Sequence, residues 1–155
     1  MEKSYDLAVA YHEAGHAVAA LALGRGVQRV SVLPDRNRLG WCEFRKGAFR
    51  PADDWLEREM LIALAGMTAE ARHTGDYCWG GAEQDLRYVR RLAAGRAGER
   101  QVERLQKRLL AKTEHLFDRT ANWNAVELIV AQLLECGEIS GREAKHLFER
   151  AVAAD

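Results

Sequence analysis

The stretch "YHEAGHAVAALALG", residues 11–24, constrains this chain more than any other feature. His12 and His16 are four residues apart and Glu13 follows the first directly, which is the HExxH pattern. On an α-helix, residues i and i+4 lie one above the other on the same face. Both imidazoles can then reach one tetrahedral Zn²⁺ at about 2.0–2.1 Å, with the Glu13 carboxylate beside the metal and outside its ligand set. A carboxylate there can take a proton from an attacking water and return it to a leaving amine. The pattern is functional only if this segment is helical, and its Ala-rich composition agrees. The plain alternative is a core helix that carries two incidental histidines. Gly15 lets a second element approach this helix closely.

The pattern supplies two ligands and a base, whereas a catalytic zinc normally has three protein ligands. No third histidine follows at metzincin spacing, because the positions after His16 are apolar. His73, His115 and His146 fall on helix ends or charged helix faces and read as surface histidines. Two carboxylates remain. Glu70 in "AGMTAEARH" fits a ligand on a following helix, and Asp85 in "GGAEQDLRYV" fits the first turn of a helix after a Gly-rich loop. Spacing alone does not separate them.

Around the motif the pattern predicts a mainly α domain with one small β element. The first helix is expected from near Ser4 to Leu23, with Gly24 as its stop. "VQRVSVLP" reads as a strand, "DRNRLG" as a turn and "GWCEF" as a returning strand, a hairpin directly after the HExxH helix. A second helix is expected from Pro51–Asp54, capped by Asp54 with Glu57 or by Asp53, and ended by Gly75. Helices should follow from Glu83 to about Ala94, on to about Thr120, from Asn124 to Glu135 and from Ser140 to Ala153. Ser140 and Glu143 have capping-box spacing. Without repeat or linker, residues 1–155 read as a single domain.

Composition narrows the partners. Lys+Arg and Asp+Glu number 23 each, so the basic footprint of a nucleic-acid binder is missing and a DNA-binding role for residues 122–153 is disfavoured. No apolar run is long enough to cross a bilayer, and no signal-peptide pattern precedes the motif, so membrane insertion is not expected and a cytoplasmic location is. Cys42, Cys78 and Cys136 form no CxxC pair; reduced, buried thiols are expected rather than a thiolate zinc site.

Together, "YHEAGHAVAA", "LIALAGMTAEARHTG" and "GGAEQDLRYV" resemble the protease domain of the FtsH-type zinc metalloproteases. "VQRVSVLPDRNRLGW" is similar to that family's strand and turn near the active site, and "ELIVAQLLECGEISGREAKHLFER" to its final helical pair. The resemblance implies a helical, zincin-like FtsH-type peptidase domain that uses Zn²⁺, with His12, His16 and Asp85 as ligands and Glu13 as catalytic base. It also implies Glu70 as a support that orients a ligand histidine. Met67 stands where the family has arginine, and Gln84 where it has asparagine; neither replaces a ligand. No GxxxxGK[ST] loop occurs, so ATP-driven unfolding is not expected of this chain itself.

The expected activity is zinc-dependent endoproteolysis of unfolded or flexible polypeptide, independent of ATP in itself. A separate ATPase or unfoldase and self-association into a homo-oligomer are compatible partners. The alternative is a non-catalytic adaptor or regulatory module that keeps the fold. "RVSVL" or "LGWCEF" would offer the strand edge along which an extended substrate lies. Tyr77 and Trp79, in the loop before Asp85, are candidates to line the substrate cleft or shield the site, although a loop aromatic more often serves packing.

Overall fold

The computed structural model describes residues 4–49 and 54–155. Six helices and one three-stranded sheet occur among them: α1 (Leu7–Ala22), β1 (Arg25–Ser31), β2 (Trp41–Phe49), α2 (Trp55–Thr74), α3 (Glu83–Ala94), α4 (Glu99–Asp118), α5 (Thr120–Cys136), β3 (Glu138–Ser140) and α6 (Gly141–Ala153). The mainly α architecture with a small β element after the HExxH helix is as expected. None of the helices is long and apolar enough to cross a membrane.

Helix α1 begins later than its apolar pattern suggested because Asp6 caps it, its carboxylate accepting from the Val9 N–H at 3.2 Å. From Ala10 to Ala20 most of its residues are buried, and most of those are alanine. Small side chains let neighbours approach on every side. The closest is α2, where a Cβ on Gly15 would stand 2.5 Å from Ala69 Cβ and 2.6 Å from the Ala65 carbonyl oxygen. Any side chain at Gly15 would push the two helices apart.

Helix α2 starts at Asp54, whose carboxylate accepts from the Glu57 N–H at 2.9 Å. The alternative starts at Pro51 and Asp53 lie outside the described residues. Gly75, in the left-handed region at φ 98°, ends the helix with its N–H on the Ala71 carbonyl. Ser140 caps α6 in the same manner as Asp54, through the Glu143 N–H.

The hairpin expectation is met and extended. β1 pairs antiparallel with β2 and, on its other side, with the short β3, giving the order β2-β1-β3. β1 is therefore the central strand, and the "RVSVL" segment has no free edge there; among the described residues β2 is the strand that can offer one on the site side. Two apolar cores result. One joins α1, the sheet, α5 and α6 to Ile62, Ala65 and Ala69 of α2. The other joins Met60, Leu64 and Met67 of α2 to Leu86 and Val89 of α3 and Leu109 of α4. Helix α2 thus serves both, and buried Thr68 ties it to α4 through a 2.7 Å contact with the Thr113 hydroxyl.

The cysteines depart from expectation. All three are free, but Cys78 and Cys136 are exposed. Cys78 sits in the loop before α3, and Cys136 is the last residue of α5, next to the Gly137 turn. Both positions belong to chain reversals, which run over the surface.

Candidate metal centre

The two histidines and Asp85 meet where the two cores adjoin. His12 Nε2 lies 3.0 Å and His16 Nε2 3.2 Å from the same atom, Asp85 Oδ2. Asp85 occupies the first turn of α3, where the helix dipole favours a negative side chain. The carboxylate of Glu13 belongs to the same cluster, with ligand-capable atoms of His12, Glu13 and His16 all within 4.8 Å of one another. Glu13 and His16 are buried, and His12 nearly so.

The outer ring nitrogens determine which atoms face Asp85. His16 Nδ1 lies 2.8 Å from the Ile62 carbonyl oxygen. A carbonyl only accepts, so Nδ1 donates and Nε2 is the atom left for the centre. His12 Nδ1 points at Glu70 Oε1, 3.4 Å away. The two carboxylates that spacing could not separate thus sit differently: Asp85 against the two inner nitrogens, Glu70 behind one ring.

Helix α2 contributes the floor. Ile62, Gly66 and Glu70 recur every fourth residue and share a face. A Cβ at Gly66 would stand 2.4 Å from His16 Nε2 and 2.8 Å from His12 Nε2. The imidazoles fill the space that any other residue would occupy. Neither Ile62 nor Gly66 belongs to the HExxH pattern or to its expected partners. A signal existed for Gly66, since glycine inside a helix costs about 1 kcal/mol relative to alanine and calls for a packing reason.

Electrostatics follow from this crowding. Burial pulls His12 down, yet the Asp85, Glu70 and Glu13 carboxylates outweigh it and hold the imidazole at about 10. His16 is likewise raised by Asp85 against its burial. Asp85 is pushed up by burial but held well below the usual carboxylate range by His16 and His12. Burial raises Glu13, with the two histidines and Arg38 pulling the other way. Cys42 lines the same cleft, and burial, then Glu13 and Asp85, keep its thiol protonated, which makes it a poor thiolate ligand.

The donor set fits a zinc ion. Ligand atoms on a tetrahedron with bonds of about 2.0–2.1 Å stand about 3.3–3.4 Å apart, close to the 3.0 and 3.2 Å separations here. Both Nε2 atoms can hydrogen-bond to the Asp85 carboxylate only by carrying protons, and a divalent cation would compensate the same half-buried carboxylate. Two imidazoles and one carboxylate are also a usual catalytic zinc set.

A cleft of about 770 Å³ opens beside this centre, lined by α1, the 37–44 segment, α2 and the 78–85 segment. From the loop before α3 it is Cys78, Gly80 and Gly81 that line it, rather than Tyr77 or Trp79. Tyr77 turns to α4, where its hydroxyl donates to Glu114, and Trp79 packs against the Tyr77 ring at 5.3 Å. The remaining histidines lie elsewhere: His73 stacks on Tyr11 at 4.0 Å, and His115 and His146 are exposed. Met67 is buried in the second core, and Gln84 lies on the cleft wall.

Relatives share this region. The chain is 38% identical over 93 residues to the ATP-dependent zinc metalloprotease FtsH of Ruminiclostridium cellulolyticum, covering 54% of this chain and 14% of that protein. It is 38% identical over 90 residues to FtsH of Thermus thermophilus, again 54% of this chain and 14% of the relative. Against FtsH 3 of Synechocystis it is 33% identical over 106 residues, 60% of this chain and 16% of the relative. The chain thus spans about a sixth or less of the lengths of these relatives. The family model for peptidase family M41 matches residues 1–99, from before the HExxH helix to beyond Asp85. With 99 of 155 residues inside that match, the chain belongs to peptidase family M41, a family of zinc metallopeptidases.

Proposed function

We propose that this chain is a zinc-dependent endopeptidase that hydrolyses peptide bonds in unfolded or flexible polypeptide, with both cores acting as one catalytic domain over residues 1–155. His12, His16 and Asp85 hold the metal, Glu13 is the catalytic base, and Glu70 orients His12. The observation that carries this reading is the meeting of His12 Nε2, His16 Nε2 and Asp85 Oδ2, with Glu13 beside them. A bound Zn²⁺ supplies Lewis acidity towards the substrate carbonyl and lowers the pKa of water to about 7.

The residues of the chain do the rest. Glu13 accepts the proton of the attacking water and delivers it to the leaving amine. Its burial raises its proton affinity above that of a free carboxylate, which favours a group that must take a proton. Glu70 and the Ile62 carbonyl hold the two rings with their Nε2 atoms inward. The outer edge of β2 has no strand partner among the described residues, and Gly40 and Trp41 bring its start to the cleft. An extended substrate pairs with that edge through its backbone, which asks for flexibility more than for sequence.

Because the relatives named above are ATP-dependent proteases, an ATPase that delivers unfolded chain is the partner this reading favours. Elemental analysis and casein digestion test the proposal together. Wild type should hold one zinc and cleave casein, whereas Glu13→Gln should keep the zinc and lose on the order of 10²–10⁴-fold in rate. Wild type that holds zinc and leaves casein intact would instead favour a metal-bearing adaptor.

A further inference from the structure

The loop between β1 and β2 presents one half-exposed guanidinium to the cleft, paired with Asp35. Asp35 organises it: Oδ1 accepts from the Asn37 and Arg38 N–H groups at 2.8 and 3.0 Å, and the Asp35 N–H donates to the Arg38 carbonyl at 2.9 Å. Asp35 Oδ2 accepts from Arg38 Nε at 3.2 Å. The Arg38 guanidinium then lies over the Trp41 ring, 4.3 Å from its centroid. Two residues on, Gly40 is so close to the centre that a Cβ there would stand 3.1 Å from Glu13 Cγ. Arg38 therefore lines the cleft near the base, and its charge is felt there.

Only Nε of Arg38 is engaged. Its two terminal amino groups have no hydrogen-bond partner among the described residues, which leaves the guanidinium fork able to take a second carboxylate bidentately. The other arginine among the described residues lining the cleft, Arg25, is committed to Glu59 at 3.0 Å and to the Arg45 carbonyl at 2.7 Å. A guanidinium with two spare amino groups is matched in shape and charge to a carboxylate. Its stacking on Trp41 also lowers the ordering cost of binding.

We infer that Arg38 is a specificity residue that receives a carboxylate of the substrate chain close to the scissile bond. This rests on the peptidase reading. The carboxylate can come from an Asp or Glu side chain or from the chain's C-terminus, and the test separates the two. Three fluorescein-labelled flexible peptides are compared: one neutral with an amidated C-terminus, the same peptide with a central Asn replaced by Asp, and the neutral peptide with a free C-terminal carboxylate.

Binding is read by fluorescence anisotropy on zinc-loaded Glu13→Gln protein, with and without Arg38→Ala or Arg38→Lys, and cleavage is read on Glu13-containing protein. At least one carboxylate peptide should bind on the order of ten-fold tighter than the neutral one. Arg38→Ala should abolish that preference and Arg38→Lys, which lacks the fork, should keep a fraction of it. A gain confined to the Asp peptide identifies the side chain as source, and one confined to the free carboxylate identifies the C-terminus. Equal binding of all three, no binding, or a preference that survives Arg38→Ala in protein with unchanged circular dichroism would overturn the inference. Cleavage without preference defeats the role of Arg38 and leaves the peptidase standing. An Arg38-dependent preference without any cleavage does the reverse.

Discussion

The two cores of this molecule are built on different principles, and the metal centre needs both. The core around α1 is packed with alanine and closed by Gly15 against Ala65 and Ala69. The core of α2, α3 and α4 is packed with Met60, Leu64, Met67, Leu86 and Leu109. Helices drawn together over small residues leave their side chains little room, which suits the histidines that must converge. Larger, more deformable side chains tolerate adjustment, and Asp85 stands on that side after the Gly80–Gly81 loop. The histidines are thus held by the tighter half and the carboxylate is brought in by the looser one. Helix α2 is common to both.

The largest effect should come from breaking the seam itself. Gly66→Ala removes the hollow that holds both imidazoles, so zinc binding and casein cleavage should both fall below detection. Helix propensity works the other way, favouring alanine by about 1 kcal/mol. Loss of zinc with helical content retained, seen by elemental analysis and circular dichroism, is the expected outcome. Unchanged zinc content would mean that α2 can move away from α1 and that the tight half is not tight.

Next in size are the two carboxylates. Asp85→Ala should weaken zinc binding more than Glu70→Gln, for which a loss of about 10–100-fold is usual in a residue that orients a ligand. Competition with a chromophoric chelator gives both constants. The reverse order would make Glu70 the ligand and Asp85 the support.

A pH titration sharpens the same comparison. In metal-free protein His12 is raised from its usual 6.5 to about 10 by its carboxylate neighbours. A raised histidine contributes stability that is complete below about 6.5 and is lost as pH rises through about 10. Metal-free protein should therefore lose stability on the alkaline side. With zinc, the ligand histidines are deprotonated in the folded state only, so stability should rise as pH increases towards 6.5. Urea unfolding should give stability that rises with pH below about 6.5 only with zinc, and that falls between about 6.5 and 10 only without it. Parallel slopes would place His12 outside the ligand set.

Legibility followed the range of the interactions. The cap of α6 was readable because Ser140 and Glu143 act within one helical turn. The closeness of α1 to a neighbour was readable at Gly15, and the approach of Asp85 to His12 came through resemblance across 73 residues. β3 was missed because three residues carry no periodicity; it exists only by pairing with β1, and that pairing also removed the free edge from β1. The start of α5 at Thr120 was missed because nothing local separates it from α4 except Arg119, which is extended at ψ 122°. Tyr77 and Trp79 were read as cleft residues from their nearness in sequence to Asp85, but a loop of this kind can turn its side chains to either wall.

That last point supplies the smallest expected effect. The Tyr77 hydroxyl donates to Glu114 on α4, and its ring packs against the second core. Burial, then Glu114, raise its pKa, so it remains a neutral donor at ordinary pH. Tyr77→Phe deletes one partly exposed hydrogen bond and should cost about 0.5–1.5 kcal/mol of stability. A loop that serves the second core should show this loss in urea unfolding, with casein KM and kcat unchanged. A raised KM at undiminished stability would put the ring in contact with substrate, beside the Cys78, Gly80 and Gly81 that already line the cleft. The comparison of the two halves depends on which occurs, because a looser half that also touched substrate could transmit binding to Asp85, whereas one that only packs on α4 holds the carboxylate and nothing more.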